Sequence, residues 1–311
     1  MYGYRNFLLL GIILAASAAT SAWGQTAMPT GGPVDRGAQS GSSIPDFSGI
    51  WWHPCLPGFE PPASGPGPVT NRSRKNGVST PEQFVGDYSN PILKPQAADV
   101  VKRYGEIELS GVPSANPANR CWPEPVPFIY KNFAMQMLQQ PDKITILFEQ
   151  DHEVRHVRMS QPHPAEVTPT WYGDSVAHYE GDTLVIDTVG TRTDRPFAMI
   201  DLFGTPYTKS LHVVERYRLL DYDDAKEGLE RDAKENWRPP GGGGVIDRNY
   251  RGKYLQVQFT VEDEGVFTTP WTATITYGRG SNDWPEIVCA ENQRSFYPGG
   301  VGVPTAEKPD F

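Results

Sequence analysis

The chain has 311 residues, and 37 Asp and Glu against 28 Lys and Arg give it a net charge of −9. Charges of both signs are mixed along the sequence without a basic cluster, which argues against nucleic acid or an anionic membrane surface as a partner. The counts of 30 Pro and 31 Gly are high for a helical protein and favour a loop-rich β fold.

Residues 1–24 have the pattern of a secretory signal peptide. A basic residue precedes an apolar core at 7–16, and Ala22 and Gly24 place small residues where a signal peptidase inspects the chain. The first cysteine is Cys55 and the apolar run is too short to span a bilayer, so we expect no stable membrane anchor. The sequence therefore predicts a periplasmic or secreted protein.

Residues 25–44 are rich in Gly, Ser and Pro and predict a disordered leader. A single folded domain is then expected from 45 to 300, followed by a tail at 301–311. The best early helix signal is centred on 96–104. A second, highly charged helical stretch lies in an insertion at 221–250, which is expected to decorate one end of the fold.

Strand patterns dominate the second half of the chain. Apolar and polar residues alternate with the period of two that is typical of half-buried strands. The segments are 133–139, 144–148, 153–159, a hairpin within 171–190, 211–220, 254–262, 271–277 and 286–295. About nine or ten antiparallel strands predict a closed barrel, with a β-sandwich as the alternative. The interior of such a barrel is wide enough for one small ligand.

Three cysteines, Cys55, Cys121 and Cys289, would enter an oxidising compartment, so one disulfide and one remaining cysteine are expected. Spacing alone does not choose among the three possible pairings. We favour Cys121–Cys289, because this bond would tie the first barrel segment to the last strand.

Two resemblances support the barrel. Ser48-Gly49-Ile50-Trp51 is similar to the Gly-x-Trp opening strand of lipocalins and related calycin barrels, in which the Trp closes the barrel floor, often against an Arg of the last strand. The resemblance gives that part to Arg294. The chain also resembles a large group of uncharacterised secreted bacterial proteins, through the segments PDFSGIWW, WYGDSVAHYEGDTLVIDT and LHVVERYR. It implies an all-β, lipocalin-like antiparallel barrel with a Pro-rich N-terminal arm and a short helical insertion, and it implies no activity.

The hairpin within 170–190 carries the first candidate for chemistry. A two-residue turn at 181–182 makes His178 and Asp187 diagonal neighbours on one face of the two strands. A carboxylate that orients a histidine raises its basicity, which is how a general acid or base near neutral pH is built. We predict His178 as the acid or base and Asp187 as its orienting group, with a structural hydrogen bond as the alternative.

A second polar pair lies in 210–217, where strict alternation puts His212 and Glu215 on opposite faces. The face that includes Tyr217 is the more apolar, so we predict that Glu215 is buried and needs Arg155 or another Arg as its partner. Either His212 or Glu215 would be a second catalytic group. A purely structural buried ion pair is the alternative for Glu215.

His152-Glu153-Val154-Arg155-His156 matches the H-E-x-x-H signature of zinc peptidases. That chemistry needs a helix, which brings the two histidines one turn apart with the glutamate beside them. Here the motif follows a β-rich run, so coincidence is the better interpretation. His152 and His156 remain weak metal candidates, and zinc peptidase is the third and least favoured function.

Two function classes remain ahead of it. The first is an exported acid/base enzyme, a lyase, isomerase or hydrolase without a cofactor, acting on a small organic or carbohydrate substrate. Its predicted substrate-binding residues are Trp171, Asp174, Arg155 and Tyr217. The alternative is a non-catalytic periplasmic, lipocalin-like binder of apolar or aromatic ligands. Convergence of the catalytic candidates in one pocket would favour the enzyme.

Overall fold

A closed barrel dominates the computed structural model, which describes residues 44–53, 58–80, 83–112, 114–131, 134–195, 197–235, 250–280 and 288–289. The strands are β1 (Gly49–Trp52), β2 (Arg74–Lys75), β3 (Val78–Ser79), β4 (Ala134–Gln139), β5 (Lys143–Phe148), β6 (Val154–Met159), β7 (Asp174–Glu180), β8 (Thr183–Val189), β9 (His212–Leu220), β10 (Tyr254–Glu262) and β11 (Trp271–Arg279). Helix α1 (Pro95–Leu109) precedes β4, and α2 (Tyr222–Glu235) lies between β9 and β10. Neither described helix combines the length and the hydropathy that a membrane-spanning helix needs.

The strand order around the barrel is β1-β11-β10-β9-β8-β7-β6-β5-β4, and β4 pairs with β1 to close it. Strands β2 and β3 form a separate ribbon. The predicted all-β barrel is confirmed, and the sandwich alternative is wrong because the sheet closes on itself. The prediction of a fully antiparallel barrel needs one correction. β6 and β7 are parallel, because the segment 160–173 returns the chain to the barrel end at which β6 begins.

The barrel interior is a packed core. Along β9, Val213, Glu215 and Tyr217 are buried, while His212, Val214 and Arg216, which alternate with them, are partly exposed. The ring centroid of Tyr130 lies 5.6 Å from that of Phe148 and 5.0 Å from that of Phe259. All three rings are buried. Side chains of this size fill the space that a lipocalin-like barrel was expected to offer to a ligand.

Trp51 of β1 is covered by an arginine of the last barrel strand. The guanidinium carbon of Arg279 lies 4.8 Å from the centroid of the Trp51 ring, and its Nη1 donates to the Ser48 carbonyl at 3.1 Å. Gly49 makes this possible, because its φ is +113° and an added Cβ would collide with the Arg279 guanidinium. Arg294, to which the resemblance gave this part, lies outside the described residues.

The predicted disulfide is confirmed. Cys121 and Cys289 are bonded, with their Cα atoms 5.4 Å apart. The bond joins the loop that precedes β4 to the segment that follows β11, so it closes a loop of the chain that contains barrel strands β4 to β11.

The two predicted helical regions are also present. The 96–104 signal lies inside α1, which begins at Pro95 with a proline suited to a first helical turn. In the 221–250 insertion the chain forms α2, which has two aspartates in its first turn, where the helix dipole favours them. The predicted signal peptide, Cys55, the tail and almost all of the predicted strand 286–295 lie outside the described residues, as does all of the leader except its last residue.

Candidate functional site at the barrel mouth

An arginine–glutamate pair occupies the barrel interior. Arg155 of β6 is buried and donates to Glu215 of β9, from Nη1 at 2.9 Å and from Nη2 at 2.5 Å. The remaining donors of Arg155 reach three hydroxyl groups, those of Tyr130, Ser175 and Thr188, at 2.7 to 3.2 Å. Glu215 also accepts a hydrogen bond from the hydroxyl of Tyr217 at 3.0 Å.

This network is complete, so it offers a substrate no polar atom of Arg155. All five N–H groups of a guanidinium have acceptors here. Burial is the largest single influence and acts to lower the pKa of Arg155, but Glu215, Tyr130 and Tyr217 together outweigh it, so the pKa is raised. The predicted burial of Glu215 with Arg155 as partner is confirmed. The geometry is that of a structural ion pair, and Tyr217 is a member of it.

The contact predicted between His178 and Asp187 is not formed. The hairpin register is as predicted, with His178 opposite Val185, but the His178 side chain is exposed and its Nε2 lies 3.1 Å from Glu180 on the same strand. Asp187 instead contacts His163 and His212. The diagonal distance across a strand pair allows such a contact without enforcing it, and nearer partners take both side chains.

A chain of histidines and aspartates runs over the outer wall of β7, β8 and β9. Nε2 of His212 and Nε2 of His163 lie 2.9 Å and 3.2 Å from the same Asp187 oxygen. Nδ1 of His163 lies 2.9 Å from Asp174, which also accepts a hydrogen bond from Arg158 at 2.9 Å. His212 and Asp174 are thus placed on this wall, away from Glu215 in the interior.

Electrostatics on this wall follow from those hydrogen bonds. Partial burial acts to raise the pKa of Asp187, but hydrogen bonds with His212 and His163 outweigh it, so the pKa is lowered. The hydrogen bond to Asp187 raises the pKa of His212. Both side chains are about one-third exposed, at 37% and 34%. The cluster is a solvated hydrogen-bonded chain rather than a pocket.

The H-E-x-x-H segment is a turn followed by a strand. His152 has φ +51° in the turn, and β6 begins at Val154. The helical spacing that brings two histidines together in a zinc peptidase is therefore absent from this segment. Among the described residues, Cys121, Asp151 and Cys289 form a group whose ligand-type atoms all lie within 4.8 Å of one another. The two sulfur atoms of that group are joined in the disulfide.

Glu153 of the same segment lies at the barrel mouth, defined as the end where β5 and β8 finish and β6 and β7 begin. Its Oε1 accepts the backbone N–H of Glu124 at 2.9 Å, and its Oε2 has no hydrogen-bond partner among the described residues. Burial, and then the nearby Glu124 carboxylate, raises the pKa of Glu153 to about 9. Glu124 is itself paired with Lys131 at 3.2 Å. Burial and the Glu124 carboxylate thus both favour the neutral, protonated form of Glu153.

Aromatic side chains border this acid on the side of β7. Burial and the Glu153 carboxyl group raise the pKa of Tyr172, which is only partly buried. Trp171 meets Trp122 edge to face, with ring centroids 5.5 Å apart. The guanidinium carbons of Arg192 and Arg195 lie 4.7 Å and 4.8 Å from the centroid of the Trp171 ring.

The two arginines differ in their partners. Arg192 is bound through Nε and Nη2 to the two oxygens of Asp194, at 2.7 Å and 2.8 Å. Arg195 is 7% exposed and donates from Nη1 to the Pro123 carbonyl at 2.9 Å. Its Nε and Nη2 have no hydrogen-bond partner within the part of the chain that the structure describes. Burial lowers the pKa of Arg195.

The mouth therefore holds buried polar atoms that have no partner among the described residues, and such atoms are rare enough in folded proteins to require an explanation. Of its residues, the sequence analysis named Trp171 as a substrate-binding residue and Glu153 only as part of the zinc motif. Arg195 was missed. Its one sequence signal is a charged run, Arg192-Thr193-Asp194-Arg195, directly after the hairpin.

Comparisons with protein-family models, with curated proteins and with solved structures give no match to this chain.

Proposed function

We propose that this protein binds a small organic molecule at the barrel mouth and that Glu153 exchanges a proton with it. One observation carries the proposal: the Glu153 carboxyl group is nine-tenths buried, and one of its oxygens has no hydrogen-bond partner in the described part of the chain. A buried polar atom in that condition costs free energy that a ligand group can recover. The partly exposed ring of Tyr172 lies near Glu153, and the partly exposed Trp171 precedes it in the chain, so these rings can give the ligand an apolar surface.

The chemistry follows from the protonation state of Glu153. A neutral carboxylic acid can donate a hydrogen bond to a substrate oxygen, or pass its proton to a leaving group, as a general acid does. A cofactor-independent lyase, isomerase or hydrolase would use such a group. Because the pKa is raised to about 9, activity that needs the acid form should persist through neutral pH and fall above about pH 9.

Export remains part of the proposal. The Cys121–Cys289 disulfide supports it, because such bonds form and persist in the periplasm and outside the cell. The interior network and the wall cluster give less support to catalysis, since the first has no unsatisfied donor on Arg155 and the second faces solvent.

The test compares wild type with Glu153→Gln, which keeps the shape and one hydrogen-bonding oxygen but cannot release a proton. Both proteins are incubated with an extract of the producing cells, and mass spectrometry follows co-purifying and depleted small molecules. We expect both proteins to capture the same compound. The mutant should deplete it at least about 100-fold more slowly, the usual contribution of a general acid.

Glu166→Gln is the control, because Glu166 is exposed in the segment between β6 and β7. Equal depletion by wild type and Glu153→Gln would refute the catalytic role. If wild type captures a compound without depleting it, the non-catalytic binder is the correct class. Failure of wild type to capture or deplete anything would refute both.

A further inference from the structure

Arg195 suggests the chemical class of the ligand, an inference that rests on the proposed function of the mouth. In a guanidinium, Nε and Nη2 lie on one edge of the plane, and this edge matches the two oxygens of a carboxylate. In Arg195 both atoms are buried and neither has a partner in the described chain. Nη1 is held by the Pro123 carbonyl, which fixes the orientation of the plane.

Arg192, the neighbouring arginine, shows how this edge of a guanidinium binds a carboxylate. Arg192 lies against the same Trp171 ring and uses its own Nε and Nη2 to bind both oxygens of Asp194. Arg195 presents the equivalent edge but forms no ion pair with another described residue. A buried cation is normally paired with an anion, since desolvation without a partner is costly.

The charges around the mouth favour an anion of single charge. Lys131 is already paired with Glu124, and Arg192 with Asp194, so of these three cations Arg195 is the one without an ion pair among the described residues. The carboxylates of Glu124 and Asp151 act on the same site, as their effect on the pKa of Glu153 shows. A doubly charged phosphate would meet repulsion there. A planar, singly charged carboxylate would meet less, and Glu153 could donate to it.

We propose that the barrel mouth recognises a small monocarboxylate, bound in bidentate fashion by Nε and Nη2 of Arg195, with its apolar part against Trp171. The ligand class is thus an organic acid of aromatic or comparable planar shape. Arg195 is a binding residue in this proposal, and Glu153 keeps the role already given to it.

The experiment measures thermal unfolding of the full protein in sodium benzoate, in sodium chloride of equal ionic strength, and in benzamide. Benzamide has the shape of benzoate without its charge. At about ten times its Kd, benzoate should raise the Tm of wild type by about 3 °C over sodium chloride. Benzamide should give little of this shift in Tm, because it has no negative charge to pair with the Arg195 guanidinium.

Two variants of Arg195 and one matched control complete the design. Arg195→Gln should lose the preference for benzoate over benzamide, and Arg195→Lys should keep only part of it because an ammonium cannot make the two-pronged contact. Arg192→Gln should keep the preference, since its edge is already bound to Asp194. The comparison is made within each variant, so a general change in stability does not affect it.

Three results would overturn the inference: equal stabilisation of wild type by benzamide, a benzoate preference that survives in Arg195→Gln, or no benzoate shift in wild type. Equal stabilisation by benzamide would leave the proposed function intact, with an uncharged ligand in place of the carboxylate. If benzoate and benzamide both leave the Tm unchanged, the carboxylate inference fails, and the extract experiment decides whether the mouth binds anything else.

Discussion

Replacing Glu215 by Gln removes one charge from the barrel interior and leaves Arg155 as a buried cation. Glu215 accepts two hydrogen bonds from Arg155 and one from Tyr217, and both members of the pair are at most 1% exposed. Breaking a buried ion pair from one side costs about 3–5 kcal/mol, because the remaining charge stays desolvated. For a domain of this size we expect the Tm to fall by about 10 °C.

Urea unfolding followed by circular dichroism measures this change. The control is made in an exposed ion pair that the next residue along the chain forms. Arg216 pairs with Glu180 on the outer wall at 2.6 Å, with both side chains well exposed. Glu180→Gln should leave the urea midpoint unchanged within error, since exposed ion pairs contribute little. The two substitutions are chemically identical, so the difference between them isolates burial.

A double variant, Arg155→Met with Glu215→Leu, completes the test. Replacing both charges with apolar side chains removes the desolvation cost, so we expect it to be more stable than Glu215→Gln alone. The reasoning is wrong if Glu215→Gln costs less than about 1 kcal/mol, the range of an ordinary hydrogen bond. It is also wrong if the double variant is less stable than the single one.

Three further predictions concern other parts of the fold. Gly49→Ala should displace Arg279 from its position over Trp51. In urea unfolding, this substitution should therefore cost about 1 kcal/mol more in wild type than in a protein that already carries Arg279→Ala. Cys121→Ser should lower stability by about 2–5 kcal/mol in urea without reductant, because it opens a link between residues 168 positions apart, whereas reductant should abolish the difference from wild type. Because the pKa of His212 is raised in the folded protein, its hydrogen bond with Asp187 should stabilise the fold fully at pH values below the pKa of this histidine in the unfolded chain. This contribution should be lost as the pH rises through the pKa of His212 in the folded protein. Wild type should therefore exceed His212→Gln in stability by more at pH 5.5 than at pH 8.5, and an equal difference at both would contradict the assignment.

The sequence was sufficient for the elements whose determinants are local. The turn at 181–182 and the alternation around it gave the register of the hairpin, and the apolar face of 210–217 gave the burial of Glu215. An arginine partner, with Arg155 as one candidate, followed because a buried carboxylate needs a cation, and the structure shows that the partner is Arg155. These inferences use spacing and charge alone, which the sequence contains.

The candidate site depends on contacts between side chains that are far apart in the sequence, and residue spacing does not predict such contacts. His163 reaches Asp187 from the segment between β6 and β7, and that segment has no periodic pattern to place it. The prediction for His178 was wrong about its partner because Glu180 on the same strand is closer. Arg195 lies in a loop, and it stands out because its Nε and Nη2 have no hydrogen-bond partner among the described residues. Such a feature is visible only once the neighbouring loops are in place.

The parallel pairing of β6 with β7 has a topological cause. Directions that alternate around a closed ring return to their starting value only for an even number of strands, and the described barrel has nine. One neighbouring pair must therefore run the same way, and here that seam has only two registered residue pairs. Two arginines of β6 fasten it from both sides, Arg155 to Ser175 inside and Arg158 to Asp174 outside. The pairing of β1 with β11 is equally short, so this seam is one of the two most weakly registered joints of the described barrel. Its two strands begin beside Glu153 and Trp171, so odd parity places a lightly paired joint next to the proposed binding site.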